Sequence, residues 1–243
     1  MRRLRMFILA LVAMCALASV GAAAALASGP TLLFLGSEGP TVLLNNKPKE
    51  EVGSTLRSEV AEIAGKKLTF ETTMLQEGSG TTGIYLAKFF EVKNASSGEG
   101  CETAGAAEKG EVEVGPEGKS DPVSLVYTSL SPLTVGSVFT VTEFSVKCNN
   151  GALTVKIKGS LLASITPINK DIEKGSNTFE GGLTCKATGL PSKTKYTNAK
   201  GEAKETSLTV TVAGKSASAC QLIGTVETST ILLLPSKMVE IMG

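Results

Sequence analysis

Short stretches of apolar–polar alternation, cut apart by Gly, Asn, Ser and Pro, constrain this chain more than any other feature. Alternation puts every second side chain on one face, the pattern of an antiparallel strand with one buried side. The clearest unit runs from Val138 to Gly159. Phe144, Val146 and Cys148 share a face of one predicted strand, and Leu153, Val155 and Ile157 share a face of the next. Asn150-Gly151 lies between them, and Asn-Gly is the favoured pair for a type I′ hairpin turn. That loop sets Val146 opposite Val155 and Phe144 opposite Ile157, with Glu143 meeting Lys158 on the other face. Apolar pairs and opposite charges are what cross-strand energetics prefer. A two-residue slip onto Asn149-Asn150 keeps the faces, so turn chemistry selects the register. A one-residue slip would expose the whole apolar set.

Weaker versions of the pattern recur along the chain. Leu208, Val210 and Val212 alternate with Thr209 and Thr211, and Val112 and Val114 with Glu111 and Glu113. Leu68 and Phe70, Leu125 and Tyr127, and Val239 and Ile241 repeat the theme. Leu32 to Leu35 and Val42 to Leu44 are short apolar runs. One segment is ambiguous: Leu56, Val60 and Ile63 recur at helical spacing, with Ser54 as a cap and Gly65 as a stop, yet a strand fits nearly as well. The predicted fold is therefore all-β, an antiparallel sandwich or a partly closed barrel, with at most one short helix besides the N-terminal segment. No 20–50-residue repeat stands out.

That N-terminal segment has its own logic. Arg2, Arg3 and Arg5 precede an uncharged apolar run from Met6 to Val20, and Ala25-Leu26-Ala27 supplies small residues at a cleavage position. This pattern predicts a secretory signal peptide over residues 1–27. The exported part, residues 28–243, reads as one β-rich domain with a candidate subdomain break near 170–178. The polar stretch Lys170 to Asn177 reads equally as a linker or a long hairpin loop. No later run is long and apolar enough for a helix to cross a membrane, so no transmembrane anchor is expected. The expected location is secreted and extracellular, or associated with the cell envelope.

Composition excludes several chemistries. The chain has no histidine, which removes Ser-His-Asp and Cys-His catalysis and the commonest metal ligand. Asp121 and Asp171 are its only aspartates, too few for a clustered calcium loop. No cofactor and no metal site are predicted. The precursor has 24 basic and 23 acidic residues, and loss of three arginines leaves 21 against 23. A balance this close to zero argues against nucleic acid as partner. Arg57 would be the sole arginine left, which weakens any phosphate- or carboxylate-clamp reading. With no Trp, aliphatic side chains must carry most of the packing.

Cys101, Cys148, Cys185 and Cys220 remain after loss of Cys15, and an even count in an exported chain suggests disulfides. Three connectivities are open; Cys101–Cys148 with Cys185–Cys220 is the preferred one. No Cys-x-x-Cys spacing suggests zinc or redox chemistry.

Four motifs weigh less than their structural explanations. Gly78-Ser79-Gly80-Thr81-Thr82-Gly83 matches a dinucleotide-loop pattern, but no strand–helix alternation surrounds it, and a hairpin turn is favoured. Gly214-Lys215-Ser216 resembles the end of a P-loop whose first glycine is missing at Thr209. Ser192-Lys193-Thr194-Lys195 matches a Ser-x-x-Lys nucleophile motif without its companion elements. Glu99, Glu102, Glu108, Glu111 and Glu113 gather around Cys101 and could supply a carboxylate pair. A solvated strand face explains Glu111 and Glu113 better. Asn94-Ala95-Ser96 is a glycosylation sequon expected on an exposed turn.

Three segments carry a resemblance. They are Cys101-Glu102-Thr103-Ala104-Gly105 with Gly110-Glu111-Val112; Phe144 to Cys148 leading into Val155 to Ser160; and Ile165-Thr166-Pro167-Ile168-Asn169-Lys170. In this order, over roughly Gly80 to Lys170, the chain resembles a set of secreted β-rich actinobacterial proteins without an assigned activity. The resemblance implies no site residues. The functional expectation is a non-enzymatic extracellular or envelope-associated structural or binding protein, its partner an envelope component or an extracellular protein or glycan. The alternatives are a hydrolase using glutamates such as Glu102 and Glu111, or a small-ligand carrier or inhibitor with its site inside the barrel.

Overall fold

The computed structural model describes residues 31–35, 41–46, 51–75, 82–114, 121–166, 177–182, 194–198, 200–232 and 238–242. The predicted signal peptide, Cys15, Cys185, Asp171 and most of the 170–178 segment lie outside these residues. The strands in chain order are β1 Thr31–Leu35, β2 Thr41–Asn46, β3 Ser54–Ser58, β4 Glu62–Gly65, β5 Lys67–Leu75 and β6 Thr82–Phe90. Next come β7 Lys93–Asn94, β8 Cys101–Thr103, β9 Val112–Val114, β10 Asp121–Leu130, β11 Leu133–Cys148 and β12 Leu153–Thr166. The last six are β13 Asn177–Gly182, β14 Lys195–Thr197, β15 Ala203–Glu205, β16 Leu208–Val212, β17 Lys215–Leu232 and β18 Met238–Met242.

The fold is all-β. Sixteen strands form one antiparallel sheet with neighbour order β13-β12-β11-β10-β6-β5-β2-β17-β3-β4-β7, and β1 with β18 forms a two-stranded ribbon. The large sheet curls into a half-barrel. Its length comes from β11, β12 and β17. β17 pairs with β16 and β3 in its first part, and with β13 and β2 in its second.

The β11–β12 hairpin shows how local chemistry sets this sheet. Phe144 faces Ile157, Val146 faces Val155, and Cys148 faces Leu153. The ladder ends at Cys148 and Leu153, and Asn149 (φ 55°), Asn150 (φ 53°, ψ 34°) and Gly151 (φ 89°) are all left-handed; the last two have the φ values of a type I′ turn. The Ala152 N–H donates to the Asn149 carbonyl and closes the turn at 3.1 Å. A bulge between Val141 and Phe144 shifts the register farther up. Glu143, beside the bulge, lies within 3.7–3.8 Å of Lys156 and Lys158. These three charges are exposed and contribute little to stability. Bulges bend a strand and raise its twist, which helps a sheet this wide to curl.

The segment with helical spacing is a hairpin. Leu56 sits opposite Ile63, and Ser54 opposite Gly65. Ser58 Oγ accepts from the N–H groups of Val60 and Ala61 and donates to the Ala61 carbonyl, tying the turn. Seven residues apart, Leu56 and Ile63 share a side at period 3.6 but not along one continuous strand; the Ser58 turn reverses the chain and sets them opposite each other on one face. Arg57 and Glu62 face each other on the outer side in a two-pronged pair at 2.9 and 3.0 Å. That pair holds the Glu62 carboxyl below its ordinary range, and it occupies the arginine that a ligand clamp would need.

Most of the core is one cluster on the inner face, drawn from β3 to β12 and β16 to β17. A smaller cluster of Val126, Val138 and Leu162 lies beside it, covered by Tyr196. The β14–β15 hairpin brings Tyr196 there through the pairing of Thr197 with Tyr127. This explains why Leu125, Val126 and Tyr127 are buried in succession, against the alternation seen elsewhere.

Candidate functional site

The concave face holds a partly open cavity of ≈ 120 Å³. Its wall is built by alternation on several strands. β6 contributes Tyr85, Ala87 and Phe89, and β9 contributes Val112 and Val114. β11 supplies Phe139, Val141, Phe144 and Val146, with Ile157 and Leu161 from β12. Leu56 and Ile63 close another side, next to Ser54, Gly65 and Gln221. The wall is overwhelmingly apolar, the usual composition of a small-molecule site. Tyr85 and Phe139 meet edge to face with centroids 4.9 Å apart, a favoured aromatic geometry.

Polar groups on this inner face are few. The Tyr85 hydroxyl donates to the Thr140 carbonyl at 3.3 Å. Burial, with the Asp121 charge adding to it, pushes the Tyr85 phenol well above its ordinary range, so it remains a neutral donor. Asp121 stands opposite Tyr85 in the register and is 1% exposed. Its Oδ2 accepts the Thr142 N–H at 3.2 Å, beside the β11 bulge. Thr72, also opposite Tyr85, has a buried hydroxyl without a hydrogen-bond partner among the described residues.

Asp121 makes the fold pH-sensitive. Burial pushes its carboxyl above the usual range, and the hydrogen bonds with Thr142 only partly oppose this. The folded state therefore holds a proton there more tightly than the unfolded chain does. The resulting stabilisation is complete below about pH 4, the ordinary Asp range, and is lost as pH rises through the folded-state value. Urea unfolding of the native protein should show stability falling across that window. Asp121→Asn should remove this component, and an unchanged slope would contradict the assignment.

The other sequence candidates have structural surroundings. Cys101 and Cys148 are joined by a disulfide, with S–S 2.02 Å and Cα–Cα 4.0 Å, and they face each other across β8 and β11. Cys220 is fully buried and disulfide-bonded; Cys185 lies outside the described residues. Glu111, expected on a solvated face, is 2% exposed. Its Oε1 lies 3.2 Å from Lys88 Nζ, and its Oε2 accepts the Glu108 N–H at 3.1 Å. Glu113 shares the same lysine at 3.1 Å. These contacts, Glu113 first, raise the Lys88 pKa. The two acids thus tie β9 to β6, and both oxygens of Glu111 are occupied. Glu99, Glu102 and Glu108 are exposed. Glu102 and Glu108 border a shallow cleft with Lys109 and Lys147, so the acids around Cys101 are spread over separate surroundings.

Asn94 leads into the exposed turn at residues 95–97, as its sequon suggested, but is itself 8% exposed, and its Oδ1 accepts the Ser96 N–H at 2.9 Å. Gly83, the last glycine of the dinucleotide-like pattern, lies within β6 and pairs with Val123 and Met74; residues 78–81 lie outside the described ones. Ala213-Gly214 is the two-residue turn between β16 and β17, with φ 49° and 80°. Of Ser192 to Lys195, only Thr194 and Lys195 are described, and Lys195 is an exposed strand residue opposite Glu205.

Ser54, Gly65, Tyr85 and Gln221 carried no functional reading in the sequence. The signal for Ser54 and Gln221 was a polar residue at an inward position of an alternating segment, Ser54 beside Leu56 and Gln221 beside Ile223. Comparison with protein-family models, curated proteins and solved structures finds no match, so function must be argued from this geometry.

Proposed function

We propose that this chain is an exported, non-enzymatic binding protein whose site is the apolar interior of the half-barrel. The cavity itself carries the reading: a void of ≈ 120 Å³ under an almost wholly apolar wall. Well-packed interiors hold few voids larger than a water molecule. A dry cavity of about 150 Å³ is enough to bind benzene, so this one suits a single ring or a short branched chain. Export is supported by the Arg2–Ala27 pattern and the disulfide, and it would deliver the site to the envelope or the extracellular space, as the actinobacterial resemblance also implies. The acids around Cys101 lend a hydrolytic reading less support, because Glu111 and Glu113 are committed to Lys88.

Titration with benzene, followed by methyl NMR, tests this reading. Saturable shifts should be confined to cavity methyls such as Leu56, Ile63, Val112 and Val146. Ala87→Leu, which extends a side chain into the void, should abolish them while the protein stays folded. Shifts that do not saturate, or that spread evenly over the molecule, would overturn the proposal.

A further inference from the structure

One end of the cavity differs from the rest. On β3 and β17, Ser54 faces Ile223 and Leu56 faces Gln221. Directly opposite residues of an antiparallel pair share a face, so Ser54 and Gln221 are diagonal neighbours on the inner side. Both line the cavity. Ser54 is 7% exposed. Gln221 is half-buried, and the polar atoms of neither side chain are among the fully buried ones left without a partner. Because both line the cavity, an apolar ligand entering it would cover these polar groups, and a ligand with its own hydrogen-bonding group would keep them paired.

Gly65 makes room for such a ligand. It lies opposite Ser54 on β4, and a Cβ built there would stand 3.1 Å from Ser54 Oγ and 3.4 Å from Val92 Cγ2. The absent side chain leaves a niche beside the hydroxyl. Among the described residues, no charged side chain lines this end. Arg57 and Glu62 belong to the outer face and are paired with each other. Asp121 stands beside Tyr85 and accepts from Thr142. An ionised head group here would be desolvated without a counter-charge.

We infer that the ligand is a small apolar molecule bearing one neutral hydrogen-bonding group, a hydroxyl or carbonyl, held by Ser54 and Gln221 in the niche at Gly65. This rests on the binding role proposed above and names the ligand class for that cavity. Ser54 and the Gln221 amide can each donate and accept, so both head groups fit.

Benzene and phenol form the test pair, because they differ by a single hydroxyl. Phenol should bind the native protein about five- to tenfold more tightly than benzene, the worth of one or two buried neutral hydrogen bonds. Ser54→Ala and Gln221→Leu should each erase most of that preference and leave benzene affinity within about twofold. Gly65→Ala should weaken phenol selectively by filling the niche. Equal affinity for both probes, or a phenol preference untouched by all three variants, would overturn the inference while leaving the cavity a binding site. Failure of both probes to bind the native protein would remove the binding role itself, and this inference with it.

Discussion

Gly159→Ala should cost this protein more than about 4 kcal/mol, or prevent folding, which is the range reserved for a specific structural breakage. Gly159 has φ 133°, a region that side chains rarely adopt. It lies where β12 meets both neighbours, opposite Val141 on β11 and Leu208 on β16. A Cβ there would run into the Ser207 carbonyl oxygen and stand 2.9 Å from Leu208 Cα. These are backbone atoms with no rotamer to yield. The Ser160 N–H donates to the same carbonyl at 2.6 Å, so moving it aside would break a ladder bond as well. Gly53→Ala is the control, because that position opens to free space. It should shift stability by no more than about 0.5 kcal/mol. Paired urea unfolding curves check both, and a mild loss for Gly159→Ala would mean that β12 and β16 are not in this register.

Removing the Cys101–Cys148 bridge should cost about 2–4 kcal/mol. The bridge closes a loop of sequence separation 47, and both cysteines are fully buried. Loop closure restricts the unfolded chain, and the restriction grows with loop length. The native state also depends on the bridge locally. β8 has only three residues, and the bridge pins it to β11 beside its ladder. Loss of the bridge should therefore speed hydrogen exchange most strongly around residues 95–111. The double variant Cys101→Ala/Cys148→Ala is the right test, since a reductant would also act at Cys220. A double variant as stable as the native protein would show that ladder and packing alone hold β8.

The parts of this fold legible in the sequence are those decided within a few residues. The β11–β12 hairpin is the plainest: alternation sets its faces, and Asn150-Gly151 sets its register. β9 and β16 follow in the same way from their valines. The Ser54–Gly65 segment is ambiguous because Leu56, Val60 and Ile63 share a side in a helix, and equally Leu56 and Ile63 share one in a hairpin once the chain turns between them. The Ser58 side chain settles it through three local hydrogen bonds that no periodicity encodes. Glu111 looked solvated because its burial depends on Lys88, distant in the chain and adjacent only once β9 pairs with β6. Leu125 to Tyr127 broke their alternation for a similar reason, the arrival of Tyr196 on the outer face.

The cavity was the least legible feature. Its wall is assembled from strands between Ser54 and Ile223, and its volume depends on how far the sheet curls. Curling is set by bulges such as that between Val141 and Phe144, and by the pairing of β13 with β17 as well as β12. No local pattern reports these. A barrel interior was among the sequence expectations only as a general alternative. The residues that give it chemical character, Ser54 and Gln221, are two polar positions in otherwise apolar inner rows.

The most direct measurement is a crystal of the protein pressurised with xenon, which enters apolar cavities of this kind. A xenon peak should appear among Leu56, Phe89, Phe144 and Ile157, without displacement of the surrounding strands. An interior filled by side chains, with xenon absent there or bound only on the outer surface, would contradict the central claim that the concave face of this half-barrel holds an apolar binding site.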